Sequence, residues 1–221
     1  MSPNQAPPQR FDGAPERLLL AVGTRLTRVH SVRFGVTEFN PNVAVSDLRG
    51  GRFDATPADE YSFLYAASDD RTAISEAVLR DLPIDERGAR LLPHARLSDL
   101  RISWLRTTVD IELVTLRSGR DLAAVGQDTW LTVAPAAEYS MTRRWAAAIR
   151  SWAPWAAGLT WRSRREPEGT AFVFFSDRCP ETHFDELTEN LPVPAGEQNL
   201  HTGPARIYVE QLLVHYRVAL T

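Results

Sequence analysis

Residues 50–82 read GGRFDATPADEYSFLYAASDDRTAISEAVLRDL, and a change of period inside this stretch decides the fold. The Gly-Gly pair marks a turn, and YSFLYAAS, apolar in a nearly unbroken run, reads as a buried strand. From Asp69 onward the spacing changes. Asp69 is a suitable N-cap, Ile74, Val78 and Leu82 recur four apart, and Pro83 ends the pattern, so residues 69–82 are predicted to be a helix. A strand that runs directly into a helix, behind a Gly-rich turn, indicates a mixed architecture. The same short span contains Arg52, Tyr65 and Glu76.

Upstream, LTRVHSVRF (26–34) alternates as a strand, with Leu26, Arg28 and His30 on one side and Thr27 and Val29 on the other. TEFNPNVAVSDLRGGRFD reads as loop and turns. Downstream, RLSDLRISWL and VDIELVTL suit strands, and SGRDLAAVG is a short helix stopped by glycine. The Ala-rich EYSMTRRWAAAIRSWA (138–153) is helical, with Trp145, Ile149 and Trp152 spaced along one face. WRSR and AFVFFS form consecutive strands around the turn EPEG. Residues 180–204, polar and punctuated by proline and glycine, are expected to be a long surface loop. VEQLLVHYRVAL (209–220) nearly alternates and is expected to be a half-buried closing strand.

The expected class is therefore α+β: one compact domain over residues 18–221, with mixed or antiparallel sheets and flanking helices, behind a flexible Pro-rich leader at 1–17. At 221 residues and 43% hydrophobic the chain can bury one substantial core. All 25 basic residues are arginine and the net charge is −3, which argues against nucleic-acid binding through bulk charge. The single cysteine, Cys179, excludes an internal disulfide and suits a reducing, cytoplasmic setting. The leader lacks the cationic start and apolar centre of a signal peptide, and LLLAVG (18–23) is too short to cross a bilayer.

The common signatures are missing: no phosphate-binding Walker loop, no GxGxxG after a strand, no HExxH, no GxSxG. The five histidines are scattered and, with one cysteine, form no metal-ligand spacing. From spacing alone, Glu76 lies opposite the apolar helix face, four residues from Arg80 as an ion-pair partner. On that basis it is a solvated surface residue, Arg52 a turn arginine, Tyr65 a core aromatic and Ser163 a surface hydroxyl. Nothing in the spacing chooses between these readings and a functional site.

The ordered series LTRVHS, FNPN, GGRFD, FLYAAS, TAISEAVLRDL, TRRWAAAIR, GLTWRSR and AFVFFSDR, over about residues 24–178, resembles the RES family. The most specific part is GGRF, then an apolar pair before Tyr-Ala, then glutamate eleven residues past that tyrosine. The resemblance implies a fold related to the ADP-ribosyltransferases, consumption of NAD+ as substrate without a prosthetic group or metal, and partnership with an Xre-like helix-turn-helix antitoxin. It places the family's arginine on Arg52, its tyrosine on Tyr65, its glutamate on Glu76 and its serine on Ser163. It adds Arg28 on the first strand, a position for which Arg25 and Arg33 compete. Expulsion of neutral nicotinamide leaves an oxocarbenium-like ribose, so the reaction needs charge stabilisation and positioning more than acid catalysis. In that scheme Glu76 faces the ribose, Arg52 and Arg28 clamp the pyrophosphate, Tyr65 stacks on nicotinamide or ribose, and Ser163 fixes the amide or a ribose hydroxyl. Water, phosphate or a protein side chain as acceptor gives a glycohydrolase, a phosphorylase or an ADP-ribosyltransferase. A catalytically silent RES-like binding module is the alternative of a different class, and a homodimer is left open.

Overall fold

The structure is a computed structural model that describes residues 6–45, 50–80 and 82–221. Parts of three expected segments lie outside the described residues: 1–5 of the leader, 46–49 of the loop before GGRF, and 81 of the helix. The chain forms β1 (Arg17–Leu20), β2 (Arg25–Ser31), β3 (Phe63–Ala67), α1 (Asp70–Val78), β4 (Arg90–Leu92), β5 (Leu100–Thr107), β6 (Ile111–Leu116), α2 (Gly119–Ala123) and α3 (Trp130–Val133). It continues through α4 (Tyr139–Trp152), β7 (Gly158–Arg162), β8 (Thr170–Phe175), β9 (Phe184–Glu186), α5 (Gly203–Val214) and β10 (Val218–Leu220).

Eight strands make one sheet in the order β1-β6-β7-β8-β3-β2-β5-β9, antiparallel throughout except where β6 and β7 run parallel. The parallel pair requires a crossover, and α2, α3 and α4 supply it. Their apolar faces, with Trp145 and Ile149, pack with Phe53, Trp161 and Phe175 in one core layer. A second layer gathers Leu26, Leu64, Leu105 and Phe174, and a third joins α1 to α5 through Ile74, Val78, Val209 and Leu213. β8 is buried at every residue, which explains why AFVFF shows no alternation.

One seam in the sheet is weak. β2 and β5 pair over seven positions, but β2 and β3 share only Thr27 opposite Ala67. Helix α1 spans this seam. Its first residue anchors it: the Asp70 carboxylate accepts hydrogen bonds from Thr27 Oγ1 (2.6 Å), Trp104 Nε1 (2.8 Å) and Tyr208 Oη (2.5 Å), which join β2, β5 and α5. Asp69 caps α1 as expected, accepting from the Thr72 backbone N–H at 2.9 Å. The fold class read from the sequence is the one observed.

Three expectations are corrected. Residues 209–220 are not one closing strand: α5 occupies 203–214 and only Val218–Leu220 is extended, paired in parallel with β4. Ala205, Val209 and Leu213 are spaced four apart and buried, and Pro204 sits at the helix start, so a helical period hid beneath the near-alternation. Residues 180–204 are mostly exposed and irregular, as expected, but they are not loop throughout. β9 completes the edge of β5, and Phe184, Val193 and Leu200 are buried, since isolated apolar residues among the prolines anchor the segment. The described part of the leader is not free either, because Phe11 stacks on Trp152 at 4.0 Å and Glu16 pairs with Arg120 at 2.8 Å.

His30 is buried against Ser103, with Nε2 2.9 Å from the hydroxyl, and its pKa is lowered to about 2 by burial first, then by the charges of Arg28 and Arg101. The folded value lies below the ordinary 6.5, so the unfolded chain takes up a proton that the native protein refuses. This stability is fully present above pH 6.5 and is lost as pH falls below it. Chemical denaturation of wild type and His30→Gln should show a loss of about 2 kcal/mol between pH 7 and pH 5 in the wild type beyond that of the variant. Equal losses would contradict the burial account.

Candidate functional site

The weak seam opens a cavity of about 190 Å³ whose wall includes Val29 from β2, Tyr65 and Ala66 from β3, and Glu76, Ala77 and Arg80 from α1 and its end. Gly51, Arg52, Tyr139 and Trp161 close its other side. A contiguous cleft of about 50 Å³ continues past Thr27 and Ala73, again bordered by Tyr65 and Glu76. Sequence separations of tens of residues are thus brought to one wall because α1 and the GGRF turn flank the same gap.

Glu76 is held from one side only. Its Oε1 accepts from the Ser163 hydroxyl at 2.5 Å and from the Arg164 backbone N–H at 3.1 Å, while among the described residues Oε2 accepts no hydrogen bond. Ser163 is itself fixed, since its oxygen accepts the backbone N–H groups of Arg165 (3.2 Å) and Glu166 (3.1 Å). The turn after β7 can press this close to α1 because Gly169 lies against Thr72, where a Cβ would come within 1.8 Å of Oγ1. The wheel argument placed Glu76 on the side away from the core, and that side proves to face a cavity.

The GGRF turn is fastened by Asp54, which is 7% exposed. Its carboxylate accepts from the Gly51 N–H at 2.6 Å and the Tyr65 hydroxyl at 2.9 Å, and Tyr65 Oη accepts in turn from the Phe53 N–H at 3.0 Å. Burial raises the pKa of Asp54 against the lowering effect of these hydrogen bonds, and burial likewise pushes the Tyr65 phenol well above its ordinary value. Both hydroxyl and carboxyl therefore serve the turn, leaving the Tyr65 ring as its contribution to the cavity. The Arg52 guanidinium donates to the carbonyls of Leu131 (3.5 Å) and Ala134 (3.1 Å) and to Tyr139 Oη (3.4 Å). Burial lowers its pKa, and Tyr139, Glu76 and Tyr65 oppose that effect.

Of the five residues singled out in the sequence, Arg52, Tyr65 and Glu76 meet at the cavity and Ser163 reaches Glu76 from behind it. Ser163 is 3% exposed and its hydroxyl proton is committed to the glutamate, so it holds Glu76 and is not free to hold a ligand's amide. Arg28 does not line the larger cavity but borders the smaller cleft with Tyr65 and Glu76. Its guanidinium donates to the carbonyls of Val36 (2.7 Å) and Glu38 (3.0 Å) on the opposite face of β2 from Val29, and the side chain is buried. Its Nε makes no hydrogen bond among the described residues. Asp54, Arg80, Tyr139 and Trp161 were not foreseen. Asp54 stands inside the quoted GGRFD turn and could have been found there; Tyr139 begins α4 with nothing in its local spacing to mark it.

A larger cavity, about 660 Å³, lies at the start of α1 among Asp69, Asp70, Glu166 and Glu168, with Arg25 and Arg71. Four carboxylates against two guanidiniums disfavour a phosphate-bearing ligand there, so size does not identify the site.

The RES domain family model matches residues 25–195, more than three quarters of the sequence and beyond the expected end at 178. The chain belongs to the RES family. No curated protein matches it. Among solved structures, this RES domain is similar to a chain in the crystal structure of the M. tuberculosis MbcT–MbcA toxin–antitoxin complex, with a TM-score of 0.50, 13% identity, and coverage of 76% of this chain and 84% of that one. At that identity the likeness speaks for the fold. None of the RES chain's described helices is long and apolar enough to cross a membrane.

Gly51 carries a steric demand: an added Cβ would stand 2.5 Å from Asp54 Oδ1 and 2.8 Å from Tyr65 Oη. Gly51→Ala should destabilise the protein by about 1–3 kcal/mol in urea denaturation. Unchanged stability would contradict the packing of the turn against Asp54 and Tyr65.

Proposed function

We propose that this RES protein consumes NAD+ by cleaving its nicotinamide–ribose bond, as the toxin of a toxin–antitoxin pair. The observation that carries the reading is a carboxylate, Glu76, fixed through one oxygen by Ser163 and Arg164 and, among the described residues, without a hydrogen bond at the other, on the wall of a cavity that also holds Arg52 and Tyr65. The cavity is smaller than the roughly 300–1,000 Å³ of sites that enclose a whole drug-sized ligand, which suits the nicotinamide riboside half of a dinucleotide with the rest extending outside.

In this mechanism Glu76 Oε2 accepts hydrogen bonds from the ribose hydroxyls and stabilises the positive charge that develops at C1′. The C1′–N1 bond breaks with its electron pair passing to nicotinamide, which leaves neutral. An oxygen nucleophile then forms the new bond to C1′. Water, which loses a proton in the step, gives ADP-ribose, and phosphate gives ADP-ribose 1″-phosphate. The Tyr65 and Tyr139 rings exclude solvent, and the fixed geometry of Glu76 contributes by positioning. Membership of the RES family and likeness to a chain of a toxin–antitoxin complex support an antitoxin partner of the Xre-like helix-turn-helix type and a cytoplasmic setting.

Incubating the purified protein with NAD+, with and without phosphate, and identifying the products by mass should yield nicotinamide with ADP-ribose or its 1″-phosphate. Glu76→Gln should lower kcat at least about 100-fold while leaving the melting temperature near that of the wild type. Undiminished NAD+ in the wild-type reaction, or full activity in Glu76→Gln, would refute the reading.

A further inference from the structure

We propose that the cavity at the start of α1 receives the adenosine half of the dinucleotide and turns away a 2′-phosphate, so that the site takes NAD+ and not NADP+. The assignment deepens the NAD+ reading above and rests on it. The cavity of about 190 Å³ leaves the second nucleoside outside, and the seam between β2 and β3 continues beyond it. Thr27 borders both the cleft of about 50 Å³ beside Glu76 and the cavity of about 660 Å³, so the seam leads from one to the other. Helix α1 runs along the same route. Glu76 stands six residues from Asp70, roughly 9 Å along the axis, a span that a diphosphate linker bridges.

The wall of the larger cavity suits an uncharged nucleoside. Tyr208 and Leu212 from α5 give it an apolar side, and the Tyr208 hydroxyl is tied to Asp70, which fixes the ring as a surface for a base. The remaining wall is acidic: Asp69, Asp70, Glu166 and Glu168 line it against Arg25 and Arg71, and both arginines are exposed. Burial works to raise the pKa of Asp69, but hydrogen bonds from Thr72 and Ser68 more than offset it, so that carboxylate stays ionised. Three of these carboxylates are spent within the protein. Asp69 accepts the bonds just named, Asp70 accepts from Thr27, Trp104 and Tyr208, and Glu166 accepts from the Tyr216 hydroxyl. The exposed Glu168 carboxylate accepts no side-chain or backbone donor among the described residues, so it can take the proton of a ribose 2′-hydroxyl into a hydrogen bond. A 2′-phosphate has no such proton to give, and it brings one to two further negative charges to an acidic wall.

The test uses two ligands that have no nicotinamide bond to cleave: ADP-ribose, and ADP-ribose phosphorylated on the adenosine 2′-hydroxyl. By calorimetry the wild type should bind ADP-ribose at least about tenfold more tightly, and the preference should shrink as added salt screens the repulsion. Glu168→Arg, at an exposed position, should move the ratio of the two affinities at least about tenfold toward the 2′-phosphate, with Glu168→Gln in between. Equal wild-type affinities, a ratio unmoved in Glu168→Arg, or a wild type that binds neither ligand would each overturn the assignment. NAD+ cleavage by the wild type together with an unmoved ratio defeats this proposal alone. A ratio that moves as expected in a protein that leaves NAD+ intact defeats only the catalytic reading.

Discussion

The sheet of this protein is almost divided between β2 and β3, and what spans the division is a helix whose first residue is tied to three other elements. Asp70 binds β2, β5 and α5 at once through Thr27, Trp104 and Tyr208. Where a full ladder would have filled the seam with paired backbone, a single register pair leaves room for side chains. The cavity exists because that seam is open. Every residue that matters at the site is positioned by an element bordering it: the GGRF turn, β3, α1, the start of α4, or the turn after β7.

The clamp on Glu76 follows from the same geometry. A carboxylate on the unpacked face of a surface helix is normally solvated and mobile, with several rotamers open to it. Here the turn after β7 presses against α1 at Gly169 and Thr72, so the Ser163 hydroxyl and the Arg164 N–H meet one oxygen of Glu76. Loss of those rotamers was incurred in folding and need not be incurred again when a ligand arrives, which is the physical content of preorganisation. Across the cavity, Asp54 does the same for the opposite wall by holding the Gly51 N–H and the Tyr65 hydroxyl together. Two carboxylates thus have different tasks, one spent within the protein and one whose second oxygen accepts no hydrogen bond among the described residues.

Much of this was legible in the sequence because local signals agreed with the fold. Asp69 announced α1, Gly126 stopped the short helix α2, and the Ala-rich run with its tryptophans announced α4. Elsewhere two periods fitted the same residues. Leu212, Val214, Tyr216 and Val218 suggested a strand, but burial follows Ala205, Val209 and Leu213. Arg28 shows another limit. Alternation grouped it with Leu26 and His30, yet it borders the smaller cleft beside Thr27 and Val29, because the tertiary position of α1 decides which residues of β2 meet that cleft. Glu76 shows the converse, since a wheel separates core from non-core but does not separate a cleft from open solvent. The apolar anchors of residues 180–204 went unread because they are too sparse to show any period, although Val193 and Leu200 are fully buried.

The central claim is that the dinucleotide's nicotinamide riboside half occupies the seam between β2 and β3. Its most direct test is a crystal structure with carba-NAD+, in which a methylene replaces the ribose ring oxygen and blocks cleavage. The account predicts the ribose hydroxyls on Glu76 Oε2 with the pyridinium ring beside Tyr65. Density for the nucleotide in the acidic cavity at the start of α1, with the seam vacant, would contradict it.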